Sequence, residues 1–113
     1  LHKDGSQIRE YIWAVDNCKA IMTILENGAP NELYNIGSGK EISNLDLTNL
    51  ICEKMGKGKE LISFVPDRLG GSDKRYSVVS EKIRKLGWKP EVDFETGVDL
   101  GLAWYLDHPE RLV

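Results

Sequence analysis

Hydrophobic and polar positions along the chain fall into short extended runs and four helical ones. QIREYIW, residues 7–13, mixes aromatic and β-branched residues and predicts a strand. Asp16 then stands where it can cap a helix running to about Asn27, because Ala20, Ile21, Ile24 and Leu25 recur at helical spacing. NGAPNE is a turn cluster, and ELYNIG a short strand ending at Gly37. After the loop SGKEIS, Ser43 or Asn44 caps a second helix with Leu45, Leu47, Leu50, Ile51 and Met55 on its apolar side and Gly56 at its end. LISFVP is a third strand closed by Pro66, and YSVV a short extended piece. Ser80 caps the short helix EKIRKLG, which stops at Gly87. WKPEVD is a linker, and Asp93 caps a last helix whose Phe94, Val98, Leu102, Trp104, Tyr105 and Leu106 form a broad apolar face ending before Pro109. The order strand, helix, strand, helix, strand, helix, helix defines an α/β chain with about four helices and short strands. The strands are too few for a complete doubly wound sheet.

Composition narrows the classes. The 113 residues suit a single domain, 1–113, and 41% hydrophobic with 29% charged residues is an ordinary globular balance. A net charge of −3 provides no broad basic field, so nucleic-acid binding is not expected and any anion site must be local. No apolar run approaches the roughly 18 residues of a membrane span. The polar opening LHKDGSQIRE has no signal-peptide pattern, and Cys18 and Cys52 sit in helical apolar patterns as reduced core residues. A cytoplasmic home is the expectation. Strand-like residues begin within ten positions of the first residue, as in a natural short domain or the tail end of something longer.

Three loops hold the polar chemistry. In DGSQIRE, Gly5 turns the chain and Arg9 follows on a rigid strand, where its guanidinium can offer a fork of donors to a phosphate. The same arginine also fits a plain strand-edge pair with Glu10 or Asp16. In YNIGSGKEISN, the flexible Gly37–Ser38–Gly39 link leads to Asn44 at a helix start, where an anion or a base edge can be read, or where Ser43 or Asn44 merely caps its own helix. In PDRLGGSDKRYS, residues 66–77, Arg68 and Arg75 lie either side of Gly70 and Gly71. If the glycines fold the loop back, both guanidiniums face one anion and Asp67 and Asp73 orient them. The alternative is a solvated loop with exposed ion pairs, each worth under roughly 1 kcal/mol. His2 and His108 have no metal-ligand spacing, and neither cysteine has a histidine or C-x-x-C neighbour. Trp13, Trp88 and Trp104 suit core or rim packing. The sequence has no G-x-G-x-x-G, no G-x-x-x-x-G-K-[ST], and no lysine four residues after Tyr34 or Tyr76. These residues describe a binding module for a phosphorylated ligand, with no catalytic, metal or cofactor-binding residue.

Taken in order, DGSQIREYIWAVDNCKAI, ELYNIGSGKEISNLDL, FVPDRLGGSDKRYSVVSEKIRKLGWKP and FETGVDLGLAWYL resemble the C-terminal, substrate-binding region of the dTDP-glucose 4,6-dehydratases. These are extended short-chain dehydrogenase/reductases of the NAD-dependent epimerase/dehydratase superfamily. The resemblance spans essentially the whole chain. It implies that Arg9 contacts a nucleotide diphosphate and that Asn44 contacts the nucleotide portion. It also implies that Asp67, Arg68, Leu69, Gly70 and Gly71 form a substrate loop, with Arg75 near the diphosphate. Leu69 and Gly71 depart from the Pro and His usual there, the loop is one residue longer through Ser72, and Asn17 replaces a common His. The NAD site, the Tyr-x-x-x-Lys pair and the acid/base carboxylates belong, by the same resemblance, to an N-terminal Rossmann domain that these 113 residues do not contain. The implied parent is a lyase converting a hexose nucleotide, a dTDP-hexose by the resemblance, to its 4-keto-6-deoxy form, with NAD in the full-length enzyme. The chain by itself is expected to be inactive. The competing readings are the same region of a nucleotide-sugar 4-epimerase or decarboxylase, and a stand-alone ligand-binding or interaction module. An apolar patch at Tyr11, Trp13 and the last helix is expected to be covered by a second copy or by the missing Rossmann half.

Overall fold

The computed structural model describes residues 1–112. Strand β1 (Ile8–Glu10) and strand β2 (Glu41–Ser43) pair antiparallel, with Arg9 opposite Ile42. Helix α1 (Ala14–Asn27) is the excursion between them. The other edge of β1 is taken by the chain around Arg75: the Ile8 N–H donates to the Lys74 carbonyl (2.8 Å) and the Tyr76 N–H to the Ile8 carbonyl (3.1 Å). Farther back, Val65 N–H donates to the Leu1 carbonyl and Lys3 N–H to the Val65 carbonyl, at 2.8 and 2.9 Å. The Arg- and Gly-rich loop is thus fastened at both ends to the N-terminal segment, and only its middle is left to local turns.

β2 runs straight into helix α2 (Asn44–Lys54). The Ser43 hydroxyl accepts from the Asp46 N–H at 3.0 Å, which settles the cap on Ser43 and leaves the Asn44 side chain available for other contacts. A 3₁₀ turn (Lys59–Leu61), the four-residue helix α3 (Glu81–Arg84), helix α4 (Phe94–Asp107) and a 3₁₀ turn at Pro109–Arg111 complete the order. Asp93 caps α4 as its position predicts, accepting from Thr96 N–H at 3.0 Å.

Several local expectations give way. ELYNIG and LISFVP form no regular ladder, and Leu61 belongs to the 3₁₀ turn that precedes the second of them. Tyr34 and Ile36 pack against the core, while the backbone around them is held by side chains: Ser80 Oγ donates to the Gly37 carbonyl and Asn35 Nδ2 to the Val79 carbonyl. That use of Ser80 removes it from the capping role; its hydroxyl makes no cap bond to α3. Asp16 does not cap α1 either. Trp13 occupies the cap position, and Asp16 sits in the first turn, 1% exposed. Its carboxylate accepts the N–H groups of Glu91 (3.1 Å) and Val92 (2.9 Å), and its carbonyl accepts the Trp88 indole N–H (3.1 Å). A helix start is thereby bolted to the WKPEVD segment.

The core is small. Among the described residues, the buried hydrophobic side chains are Ala20, Ile83 and Trp88, with Ile12, Ile24, Tyr34 and Ile36 partly buried against them. The inward face of α1 is Asp16, Ala20 and Ile24, at i, i+4 and i+8. Cys18 lies off that face and is exposed, and Cys52 is half-buried; both are free thiols, but neither is a core residue. Ile21 and Leu25, expected inside, are also exposed. Trp104 and Tyr105 of α4 are about half exposed, and Tyr11, Ile12, Trp13, Phe94, Val98 and Tyr105 help line a groove of about 1110 Å³. The apolar patch expected there is present. Among the described residues, no helix is long and apolar enough to cross a membrane.

Candidate functional site: an arginine-lined cavity beneath the glycine loop

Extended backbone puts residues two apart on one face, so Gln7 and Arg9 point the same way. The Asn44 N–H donates to the Gln7 carbonyl at 3.0 Å, which brings the start of α2 beside that face. The glycine loop supplies the remaining wall. The result is a cavity of about 150 Å³ lined by His2, Gln7, Arg9, Asn44, Arg68 and Ser72. Arg9, Asn44 and Arg68, singled out in three separate loops, come together here. His2, Gln7 and Ser72 were not singled out. For Gln7 the signal was its position two residues before Arg9, which puts it on the same face of an extended chain.

Each wall is held by identifiable bonds. Arg9 pairs with neither Glu10 nor Asp16. Its Nη1 donates to the Ile8 carbonyl (2.7 Å) and the Asp73 carbonyl (3.0 Å), and its guanidinium lies 4.8 Å from the Tyr76 ring centroid. Tyr76 in turn donates its hydroxyl to Asp73. The Tyr11 hydroxyl donates to Asn44 Oδ1 (3.0 Å), so the donor end of the Asn44 amide is what remains for a ligand.

The loop is built around Asp67. Its carboxylate accepts from Ser72 Oγ (2.6 Å), Ser72 N–H (3.0 Å) and Arg68 N–H (3.0 Å), and pairs with Lys3 Nζ at 3.0 Å. Gly70 and Gly71 have φ of +88° and +78°, and Gly71 N–H closes a turn onto the Arg68 carbonyl at 2.9 Å. Arg68 Nε donates to the Gly71 carbonyl at 3.1 Å, and the Leu69 side chain is fully exposed. Asp67 therefore shapes the backbone and does not hold a guanidinium. Nor does Asp73 orient an arginine by its carboxylate; it is the Asp73 carbonyl that holds Arg9. Arg75 stands apart from the cavity, its Nε donating to Glu41 Oε2 at 3.1 Å in a two-pronged pair that keeps the Glu41 carboxyl below its ordinary range. The two guanidiniums on the cavity are those of Arg9 and Arg68, where the loop spacing had suggested Arg68 and Arg75. Lateral pairing explains the change: residues 74–76 pair with Ile8, and Arg75 lands beside β2.

Two outcomes follow from this loop. Gly71→Ala forces a side chain into the left-handed region at a site where the added Cβ meets only ordinary contact, Asp67 Oδ2 at 3.8 Å. The cost is backbone strain, about 1 kcal/mol. Faster amide exchange at residues 68–72 is the expected readout, with helix content unchanged.

Hydrogen bonds from Ser72 and then from Lys3 hold the Asp67 carboxyl well below the carboxylate range. A depressed folded value means the latch stabilises the loop above the unfolded value near 3.8 and is lost as pH falls below it. The Ser72 amide resonance should hold its position from pH 7 to about pH 4 and move only below that. Asp67→Asn should show the loosened loop at neutral pH.

Comparison with known proteins matches this architecture. A sequence model of the GDP-mannose 4,6 dehydratase family matches residues 2–100, and the chain belongs to that family, within the epimerase/dehydratase superfamily. The low-salt glycan biosynthesis protein Agl12 of Haloferax volcanii is 44% identical over 110 residues, covering 97% of this chain and 35% of that protein. The dTDP-glucose 4,6-dehydratase 1 of Escherichia coli is 37% identical over 116 residues, covering 96% of this chain and 32% of its own length. Among solved structures, the dTDP-glucose 4,6-dehydratase of Bacillus anthracis in complex with NAD superposes with a TM-score of 0.91 at 34% identity, over 97% of this chain and 35% of that one. The UDP-glucose 4-epimerase of Thermotoga maritima, solved with UDP-glucose, gives 0.87 at 29% identity, over 96% and 34%. The chain thus spans about a third of the length of the relatives it matches. The resemblance to the dTDP-glucose 4,6-dehydratases read from the sequence is borne out, with epimerases as further neighbours.

Proposed function

We propose that these residues form the nucleotide-sugar-binding part of a dTDP-glucose 4,6-dehydratase-like enzyme, an NAD-dependent lyase acting on a hexose nucleotide. The observation that carries this reading is the cavity that gathers Arg9, Arg68 and the donor end of Asn44. Guanidiniums and amide N–H groups are donors only, so a cluster of them suits phosphate oxygens. The volume is well below the roughly 300 Å³ at the low end of whole small-molecule sites, so it suits one piece of a ligand, its phosphates, with the remainder extending outward. Leu69, at the exposed tip of the loop, then meets the outlying part.

NAD supplies hydride chemistry in such an enzyme. The 113 residues contain neither a dinucleotide glycine motif nor a Tyr-x-x-x-Lys pair, so the reading assigns the cofactor to no residue of this chain. No hydride or elimination step is assigned to these residues. The apolar groove at Tyr11, Trp13 and α4 is the natural seat for the cofactor-binding remainder, as apolar patches of this kind are commonly interfaces. A homo-oligomer covering the same face is the other arrangement. The reading places the protein in the cytoplasm, where nucleotide sugars are its ligands.

Binding and turnover test the reading together. Calorimetry should give a dissociation constant near millimolar for dTDP-glucose, about −4 kcal/mol, as expected of part of a cleft. The chain with NAD and dTDP-glucose should give no 4-keto product. Absence of binding at about ten millimolar ligand would remove the reading.

A further inference from the structure

Gln7 is a buried polar side chain whose hydrogen bonding is only half complete. It is 5% exposed, lines the arginine cavity, and donates from Nε2 to the His2 carbonyl at 3.3 Å. Its Oε1 is buried without a hydrogen-bond partner among the described residues. Turning the amide over does not help, because Oε1 would then face the His2 carbonyl, acceptor against acceptor. Buried polar atoms are nearly always satisfied, and an exception at a cavity wall points to a missing partner. That partner must be a donor. Phosphate oxygens are acceptors and belong on Arg9 and Arg68, so the group that meets Gln7 lies next to the phosphate and carries O–H or N–H. In a nucleotide sugar, the donors nearest the phosphates are the hydroxyls of the two sugars they link.

We propose that Gln7 Oε1 reads a sugar hydroxyl adjacent to the phosphates held by Arg9 and Arg68, making it a specificity residue for a sugar ester over a bare phosphate. This rests on the nucleotide-sugar reading above and deepens it. Arg9 and Arg68 supply attraction for any diphosphate; Gln7 distinguishes what is attached to it.

The test measures affinities of the 113-residue chain and of Gln7→Leu for pyrophosphate, dTDP, 3′-deoxy-dTDP, dTDP-glucose and dTDP-2-deoxyglucose. The expected result is that one of the two deoxy ligands binds the unsubstituted chain about threefold to tenfold more weakly than its parent. Gln7→Leu should lose that same discrimination and leave pyrophosphate affinity unchanged. Which ligand responds identifies the hydroxyl as pentose or hexose. Equal binding of both deoxy ligands and their parents would overturn the proposal, as would an equal loss of pyrophosphate and dTDP affinity in Gln7→Leu, which marks a packing role. If Gln7→Leu does not fold, the comparison of ligands on the unsubstituted chain decides alone. If that chain binds neither pyrophosphate nor dTDP, the site reading itself falls, and this inference with it.

Discussion

Arg68→Ala lowers the affinity for a nucleoside diphosphate by about tenfold to a hundredfold, the value of one or two charge-assisted hydrogen bonds to phosphate. The substitution leaves the fold alone. Arg68 is exposed, its side chain bonds among the described residues only to the Gly71 carbonyl, and the Asp67–Ser72 latch survives without it. Arg68→Lys recovers part of the loss, because a point charge remains but the fork does not. Arg75→Ala is the informative control. Its guanidinium is already committed to Glu41, so its removal should change affinity by less than about threefold. Arg9→Ala weakens binding as strongly as Arg68→Ala and also frees the loop, since Arg9 ties the Asp73 carbonyl to β1. Calorimetry with dTDP, paired with thermal melts of each variant, separates these effects. Equal losses for Arg68→Ala and Arg75→Ala would return the site to the loop arginines as a pair.

The largest effect on stability is expected at Asp16. Replacing it with Ala leaves two part-buried backbone N–H groups, those of Glu91 and Val92, without that acceptor. The loss should be about 3 kcal/mol, and Asp16→Asn, which keeps an acceptor without the charge, should cost about 1 kcal/mol. Three buried hydrophobic side chains among the described residues are a modest core, so a 3 kcal/mol loss falls on a domain whose total stability is at most a few times larger. Urea denaturation followed by Trp88 fluorescence reports it directly. Trp88 is buried against the same clamp, so its emission registers the release of the WKPEVD segment.

Helix positions were legible in the sequence, and strands were less so, for a physical reason. Ser43, Asp93 and the 3.6-residue recurrence of apolar side chains carry local information, and α1, α2 and α4 lie where these signals put them. A strand is defined by its neighbour, and among the described residues LISFV has one bridge, Val65 to His2, and a bond from the Leu1 amino group to the Ser63 carbonyl, with no ladder. Its apolar run reads as a strand, yet Leu61, Phe64 and Val65 remain about half exposed or more. Asp16 shows the same limit at a helix start. A carboxylate in a first turn reads as a cap, and nothing local reveals that its partners lie some 75 residues on.

The site divides along the same line. Arg9, Asn44 and Arg68 were each visible as donors suited to an anion, but their meeting in one cavity depends on the pairing of residues 74–76 with Ile8. That pairing also directs Arg75 to Glu41, an outcome set by lateral register that loop spacing does not contain. Gln7 was hidden for a simpler reason. Its interest comes from burial without a partner, which is a property of the folded chain.

The central claim, that Arg9, Asn44 and Arg68 form one anion-binding site for a sugar nucleotide, is tested most directly by NMR. The 113-residue chain would be titrated with dTDP-glucose, with dTDP and UDP-glucose alongside. Saturable shifts confined to residues 7–9, Asn44 and the 67–73 loop are expected, with little change at Arg75, and the order of the three ligands names the preferred base. Shifts scattered over the surface, or none at millimolar ligand, would contradict the claim.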